Sequence, residues 1–104
     1  MVKDVIWAEP AQEDLESIFD FHKKKSEKYA YDLKSKLLDA PDILMLPNVI
    51  SEEIGQIELT LVHLGQGHRY LIEGHYKIIY FLESNYAYVT HVFDTRQDPD
   101  KKLR

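Results

Sequence analysis

An α+β domain is the fold class that this sequence predicts: an N-terminal strand, a two-helix antiparallel hairpin, then a C-terminal antiparallel sheet of three or four strands packed on the helices. Three observations predict it. Residues able to face a core recur at helical spacing in two consecutive segments, Leu15, Ile18, Phe19 and His22, then Tyr29, Ala30, Leu33, Leu37 and Leu38. The last third, His68 to Glu83 and again Tyr86 to Phe93, is rich in aromatic and β-branched residues, the composition of strands. The order strand, helix, helix, strands gathers the helices against an antiparallel sheet. At 104 residues the chain reads as one domain, 1–104, with enough length for one core.

Val5-Ile6-Trp7 is a short apolar run that suits a strand. Glu9-Pro10-Ala11 opens the first helix: proline is tolerated in a first turn, and Glu9, Glu13 and Asp14 lie near the positive end of the dipole. Ser26 is an N-cap for the second helix, and the short connection makes the pair a tight hairpin. Pro41 interrupts the second pattern, since an interior proline costs ~3 kcal/mol. The helix kinks there, or it stops and restarts with Pro41 in a first turn, so that Ile43, Leu44 and Leu46 still reach the core. Pro47-Asn48 ends it, and 48–56 reads as a surface loop carrying Glu52, Glu53 and Gly55. Ile57, Leu59 and Leu61 alternate as in a half-buried strand until Gly65 and Gly67 break the pattern.

In the strand from 75 to 83, Tyr76, Ile78, Tyr80 and Leu82 point one way and His75, Lys77, Ile79, Phe81 and Glu83 the other. Both sets are largely apolar, so this strand is central. Ser84-Asn85 is a two-residue connection in which Asn85 can take positive φ. The preceding hairpin has two registers. A two-residue turn at Glu73-Gly74 pairs Tyr70 with Lys77 and sends Arg69 to the opposite face. A three-residue loop pairs Leu71 with Lys77 and unites Arg69 with it.

Composition narrows the function classes. With no cysteine, disulfides, thiolate catalysis and cysteine zinc sites are excluded, and the redox compartment stays open. No apolar run approaches the ~18 residues of a membrane span, and the N-terminus lacks a signal pattern. A cytoplasmic protein without a membrane partner is expected. The net charge of −5 weighs against a general nucleic-acid binder, whose affinity comes mostly from neutralising phosphates. The charge is uneven, however, with six lysines between 23 and 36.

Five histidines, at 22, 63, 68, 75 and 91, show no metal-ligand spacing, and no cofactor or metal is expected. The serines lack a nucleophile-elbow context, and glycine-rich phosphate or dinucleotide patterns are absent. Tyrosines 70, 76, 80, 86 and 88 could stack on bases, but strand aromatics are more often core. What remains is Arg69, Lys77 and Arg96 with histidines nearby. Cleaving an RNA backbone needs a base, a cation for the pentavalent phosphate and an acid; cations scattered in rim ion pairs fit the same spacing.

The runs Arg69-Tyr70-Leu71-Ile72, Tyr76-Lys77-Ile78-Ile79-Tyr80 and His91-Val92-Phe93-Asp94-Thr95-Arg96-Gln97-Asp98-Pro99 resemble the RelE/ParE toxin superfamily. So do the helix start Ala11-Gln12-Glu13-Asp14-Leu15-Glu16-Ser17-Ile18 and Pro47. The resemblance covers nearly the whole chain. It implies the toxin of a bacterial type II toxin–antitoxin system, associated with plasmid stabilisation and growth inhibition, which binds a cognate antitoxin and takes no small-molecule substrate. RelE-like members cleave mRNA in the ribosomal A site; ParE-like members inhibit DNA gyrase. Against the RelE pattern, Arg69 stands where a lysine is expected, Leu71 replaces a second lysine, Lys77 replaces an arginine, and no tyrosine follows Arg96. These departures and the acidic balance favour a ParE-like toxin. The alternative is an mRNA endoribonuclease using Arg69, Lys77, His91 and Arg96 as catalytic residues, and a second is an inactive toxin-derived protein-binding module.

Overall fold

Residues 2–96 are described in the computed structural model of the chain. Strand β1, Asp4–Trp7, leads into helix α1, Glu9–Lys23, with Pro10 in its first turn. Helix α2 spans Glu27–Asp39, and Ser26 caps it as expected, its Oγ accepting the Tyr29 N–H at 3.2 Å. The helix stops before Pro41 and restarts as a 3₁₀ turn over Ala40–Met45, with proline in its first turn. Because a 3₁₀ turn repeats every three residues, Pro41 and Leu44 face inward together. Ile43 and Leu46, expected in the core, are turned outward instead. Tyr29 and Leu38 are likewise exposed, lying at the margins of the narrower buried stripe Ala30, Leu33 and Leu37.

The segment 48–56, expected as a loop, holds the one-turn helix α3, Ser51–Ile54. The strand expected through Ile57, Leu59 and Leu61 shrinks to β2, Gln56–Ile57, followed by a 3₁₀ turn over Leu59–Leu64. Glu58 is the cause. Its carboxylate accepts from the Thr60 N–H and hydroxyl, which caps the turn and takes the chain out of the sheet. Leu59 is therefore 78% exposed, and only Leu61 of the three is buried.

Strands β3, Arg69–Glu73, β4, Tyr76–Glu83, and β5, Tyr86–Asp94, complete one five-stranded sheet in the order β1-β5-β4-β3-β2. The four C-terminal strands are antiparallel, and β1 adds to β5 in parallel. The β4–β5 turn carries its positive φ on Ser84, at 56°, and not on Asn85. One face of the sheet bears Tyr76, Ile78, Tyr80, Ala87, Val89 and Val92, packed with Ala11, Leu15, Leu33, Leu37 and Leu44 from the helical layer. On the other face Leu61 folds over Ile79, Phe93 and Tyr70 in a smaller cluster. The register of β5 against β4 shifts between Ile79 and Tyr80, leaving Thr90 as a bulge. Just beyond it Asp14 of α1 accepts the Val92 N–H at 2.9 Å, tying helix to strand.

Candidate functional site

The β3–β4 turn is Gly74-His75, so Glu73 pairs with Tyr76 and Ile72 with Lys77. Neither of the two expected pairings occurs, but the parity is that of a two-residue turn. Arg69 lies opposite Tyr80 on the helix-covered face, and Lys77 projects from the other. Arg69 donates to the Gly55 carbonyl. Arg96 forms a two-pronged ion pair with Asp94, Nη2 to Oδ2 at 2.6 Å and Nε to Oδ1 at 2.9 Å. That guanidinium holds the Asp94 carboxyl at about 2. Gln97, Asp98 and Pro99 lie outside the described residues.

The four residues expected to act together are thus separated. Tyr80, the partner of Arg69, is opposite Val89, so Arg69 and Arg96 stand at opposite ends of the sheet, about 20 Å apart along the strands at ~3.3 Å per residue. Lys77 and His91 do share the face away from the helices, as the pairs Lys77–Phe93 and Ile79–His91 require. His91 contacts the Thr90 hydroxyl at 3.2 Å. No side chain of this quartet can meet a single phosphate together with the other three.

A different cluster assembles around Lys77. Its Nζ lies 2.8 Å from Glu58 Oε1 and 4.1 Å from the Tyr70 ring centroid, a cation–π contact within an ion pair. Glu58 is 3% exposed. Burial works to raise its pKa, but hydrogen bonds from Lys77 and Thr60 outweigh burial and hold it below the ordinary value. His68 is buried beside this pair, its ring edge-on to Phe81 at 5.2 Å, and Phe81 stacks on Tyr88. Burial lowers the pKa of His68, with the charges of His91 and His63 acting in the same direction against Glu58. Sequence reasoning passed over Glu58 and placed His68 among ordinary histidines. The one signal available was an acid between apolar residues in Ile57-Glu58-Leu59, where alternation reads as a solvent-facing position.

The second feature is a cleft of about 300 Å³ between α1 and the ends of β4 and β5, lined by Asp14, Ser17, Ile18, Phe21, Tyr76, Val92, Phe93, Asp94 and Arg96. His22 holds the wall residue Tyr76, its Nε2 2.8 Å from Tyr76 Oη. This histidine is a hydrogen-bonded packing residue. Among the described residues no group of three His, Cys, Asp or Glu side chains is placed to hold a metal ion, and no helix is long and apolar enough to cross a membrane.

No protein-family model matches the chain, and the search of curated proteins returns no match. Among solved structures, the chain is similar to one from a chromosomal ParDE TA system of P. aeruginosa, with a TM-score of 0.72 and 15% identity over 88% of this chain and 94% of that one. At that identity the likeness concerns the fold alone.

Proposed function

We propose that this chain is the toxin of a bacterial type II toxin–antitoxin pair, of the ParE-like kind. It acts by binding a cellular target and is neutralised by a cognate antitoxin. The observation that carries the reading is the dispersal of the cations. Each already has a partner within the chain: Arg69 the Gly55 carbonyl, Lys77 the Glu58 carboxylate, Arg96 the Asp94 carboxylate. A nuclease of the RelE kind needs cations that converge on one phosphate and are not already spent. A target-binding toxin needs neither. The similarity of fold to a chain of a ParDE system supports the same branch.

The endoribonuclease reading keeps one favourable observation, the shared face of Lys77 and His91 with the aromatic rings of Tyr70, Tyr88 and Phe93. Purified protein separates the two. Gyrase supercoiling is measured beside mapping of mRNA ends on translating ribosomes. Lost supercoiling or DNA breaks are expected; codon-positioned mRNA cleavage that disappears in Arg96→Ala would overturn the ParE-like branch. Growth arrest on expression alone, relieved by the adjacent small reading frame, tests the toxin reading itself. Normal growth at high soluble expression would make the chain an inactive toxin-derived binding module.

A further inference from the structure

Among the described residues, the large aliphatic side chains that are more than half exposed are gathered in one place. Leu46, Ile50, Ile57, Leu59, Val62 and Leu64 fall in a single stretch of chain, and the one other, Ile72, lies on β3 beside it. The stretch folds as short pieces around β2, the last strand of the sheet, which has a strand neighbour on one side only. Ser51 Oγ donates to the Leu44 carbonyl at 3.0 Å and ties α3 to the 3₁₀ turn before it. On the far side of β2 the Glu58 N–H donates to the His68 carbonyl at 2.8 Å. The capped turn that follows buries Leu61 and leaves Leu59, Val62 and Leu64 outside. Single exposed leucines are ordinary, but a gathered set marks a contact surface.

The same stretch is without cations. No lysine or arginine stands between Lys36 and Arg69. Arg69 and Lys77, which the fold brings to β2 and the turn after it, are both engaged, with the Gly55 carbonyl and the Glu58 carboxylate. Asp42, Glu52 and Glu53 are exposed there. The ion pairs among the described residues are Lys34–Glu16, Lys77–Glu58 and Arg96–Asp94, so none of these three acids has a cation. Glu52 and Glu53 stand side by side, and an external cation relieves their repulsion.

That combination selects the occupant. An acidic rim repels a phosphate backbone and an anionic lipid surface alike, and aliphatic side chains offer neither of them a bond. A second copy would bring the same patch to a two-fold contact and set acid against acid. A polypeptide with leucine-sized side chains and flanking lysines or arginines satisfies both parts at once. We infer that the β2 edge, with α3 and the turn Leu59–Leu64, is a docking surface for a basic, leucine-bearing segment of a partner protein. Its aliphatic side chains settle on Ile50, Ile57, Leu59 and Leu64, and its cations lie on Asp42, Glu52 and Glu53. Such a surface goes beyond the toxin reading and stands without it.

Fluorescence anisotropy with the full chain tests it. The probes are a labelled Leu/Lys amphipathic peptide of about five helical turns, the same peptide with glutamate for lysine, and the same peptide with serine for leucine. Binding of the Leu/Lys peptide alone is expected, weakening as salt rises. It should fall by about tenfold or more in Leu59→Ser/Leu64→Ser and in Glu52→Lys/Glu53→Lys. It should stay unchanged in Glu9→Lys/Glu13→Lys, which makes the same change of charge on α1. All these positions are exposed, so circular dichroism should report intact folds. Undiminished binding by either patch variant, or equal binding of the Leu/Glu or Ser/Lys peptide, would overturn the proposal. Dimerisation of the chain in sedimentation, lost in Leu59→Ser/Leu64→Ser, would assign the patch to a second copy and overturn it as well. Capture by phosphatidylserine vesicles in place of peptide binding would do the same for a membrane.

Discussion

Lys77 reads in the sequence as a cation offered to a substrate, and in the fold it is the counter-charge of Glu58. That change of role alters what its removal does. A lysine facing solvent can be replaced with little effect on stability, but Lys77→Met leaves a buried carboxylate without its partner, a loss of ~3–5 kcal/mol. Urea unfolding should show it, and adding Glu58→Gln should recover much of the loss, because both charges then leave together. The pair also predicts an acid response. Glu58 and Asp94 titrate below their ordinary values of 4.5 and 3.8 in the fold. Both therefore contribute stability above those values and lose it as the pH falls through the folded ones, which for Asp94 is about 2. Urea midpoints should drop between about pH 5 and pH 2, and the drop should be shallower in Glu58→Gln/Lys77→Met. A midpoint indifferent to acid in the parent protein would contradict the arrangement.

At the scale of elements, the join between α3 and β2 depends on one glycine. A Cβ at Gly55 would meet the Tyr80 hydroxyl and ring and the Tyr70 carbonyl, while the Gly55 carbonyl receives Arg69. Gly55→Ala should therefore cost about 1–3 kcal/mol through overpacking, measured as a lower denaturation midpoint. Tyr80→Phe in the same chain removes the hydroxyl that the new methyl strikes and should restore part of it. The helical half of the molecule was legible because its signals are local: a stripe at three and four, the Ser26 cap, Pro41 interrupting the second pattern. The 48–64 region was not. Its apolar alternation imitates a strand, and what defeats it is the Glu58 carboxylate capping Thr60, a contact steadied by Lys77 far along the chain. The same distance hid the Glu58–Lys77 cluster, whereas the Asp94–Arg96 pair joins residues two apart and belongs to the rim ion pairs that the spacing of the cations allowed.

Across the whole molecule, order is concentrated in the centre of the sheet. Ile78, Ile79, Tyr80, Val89 and Val92 are fully buried on β4 and β5, while Ile50, Ile57, Leu59, Val62 and Leu64 are exposed around β2. Amide hydrogen exchange should be slowest through β4 and β5 and fastest from Ser51 to Leu64, because local opening follows buried contact. Uniform protection along the chain would argue against this division. The strand order has a further consequence, for how the fold is reached in time. β1 opens the domain yet pairs with β5, Asp4 standing opposite Tyr86. That contact closes a loop over nearly the full length of the domain, the arrangement that slows folding. A fragment ending before Tyr86 has no neighbour for β1 and leaves one side of β4 bare. The β1–β5 closure is a long-range step, whereas β3–β4 and β4–β5 join strands that follow one another in the sequence.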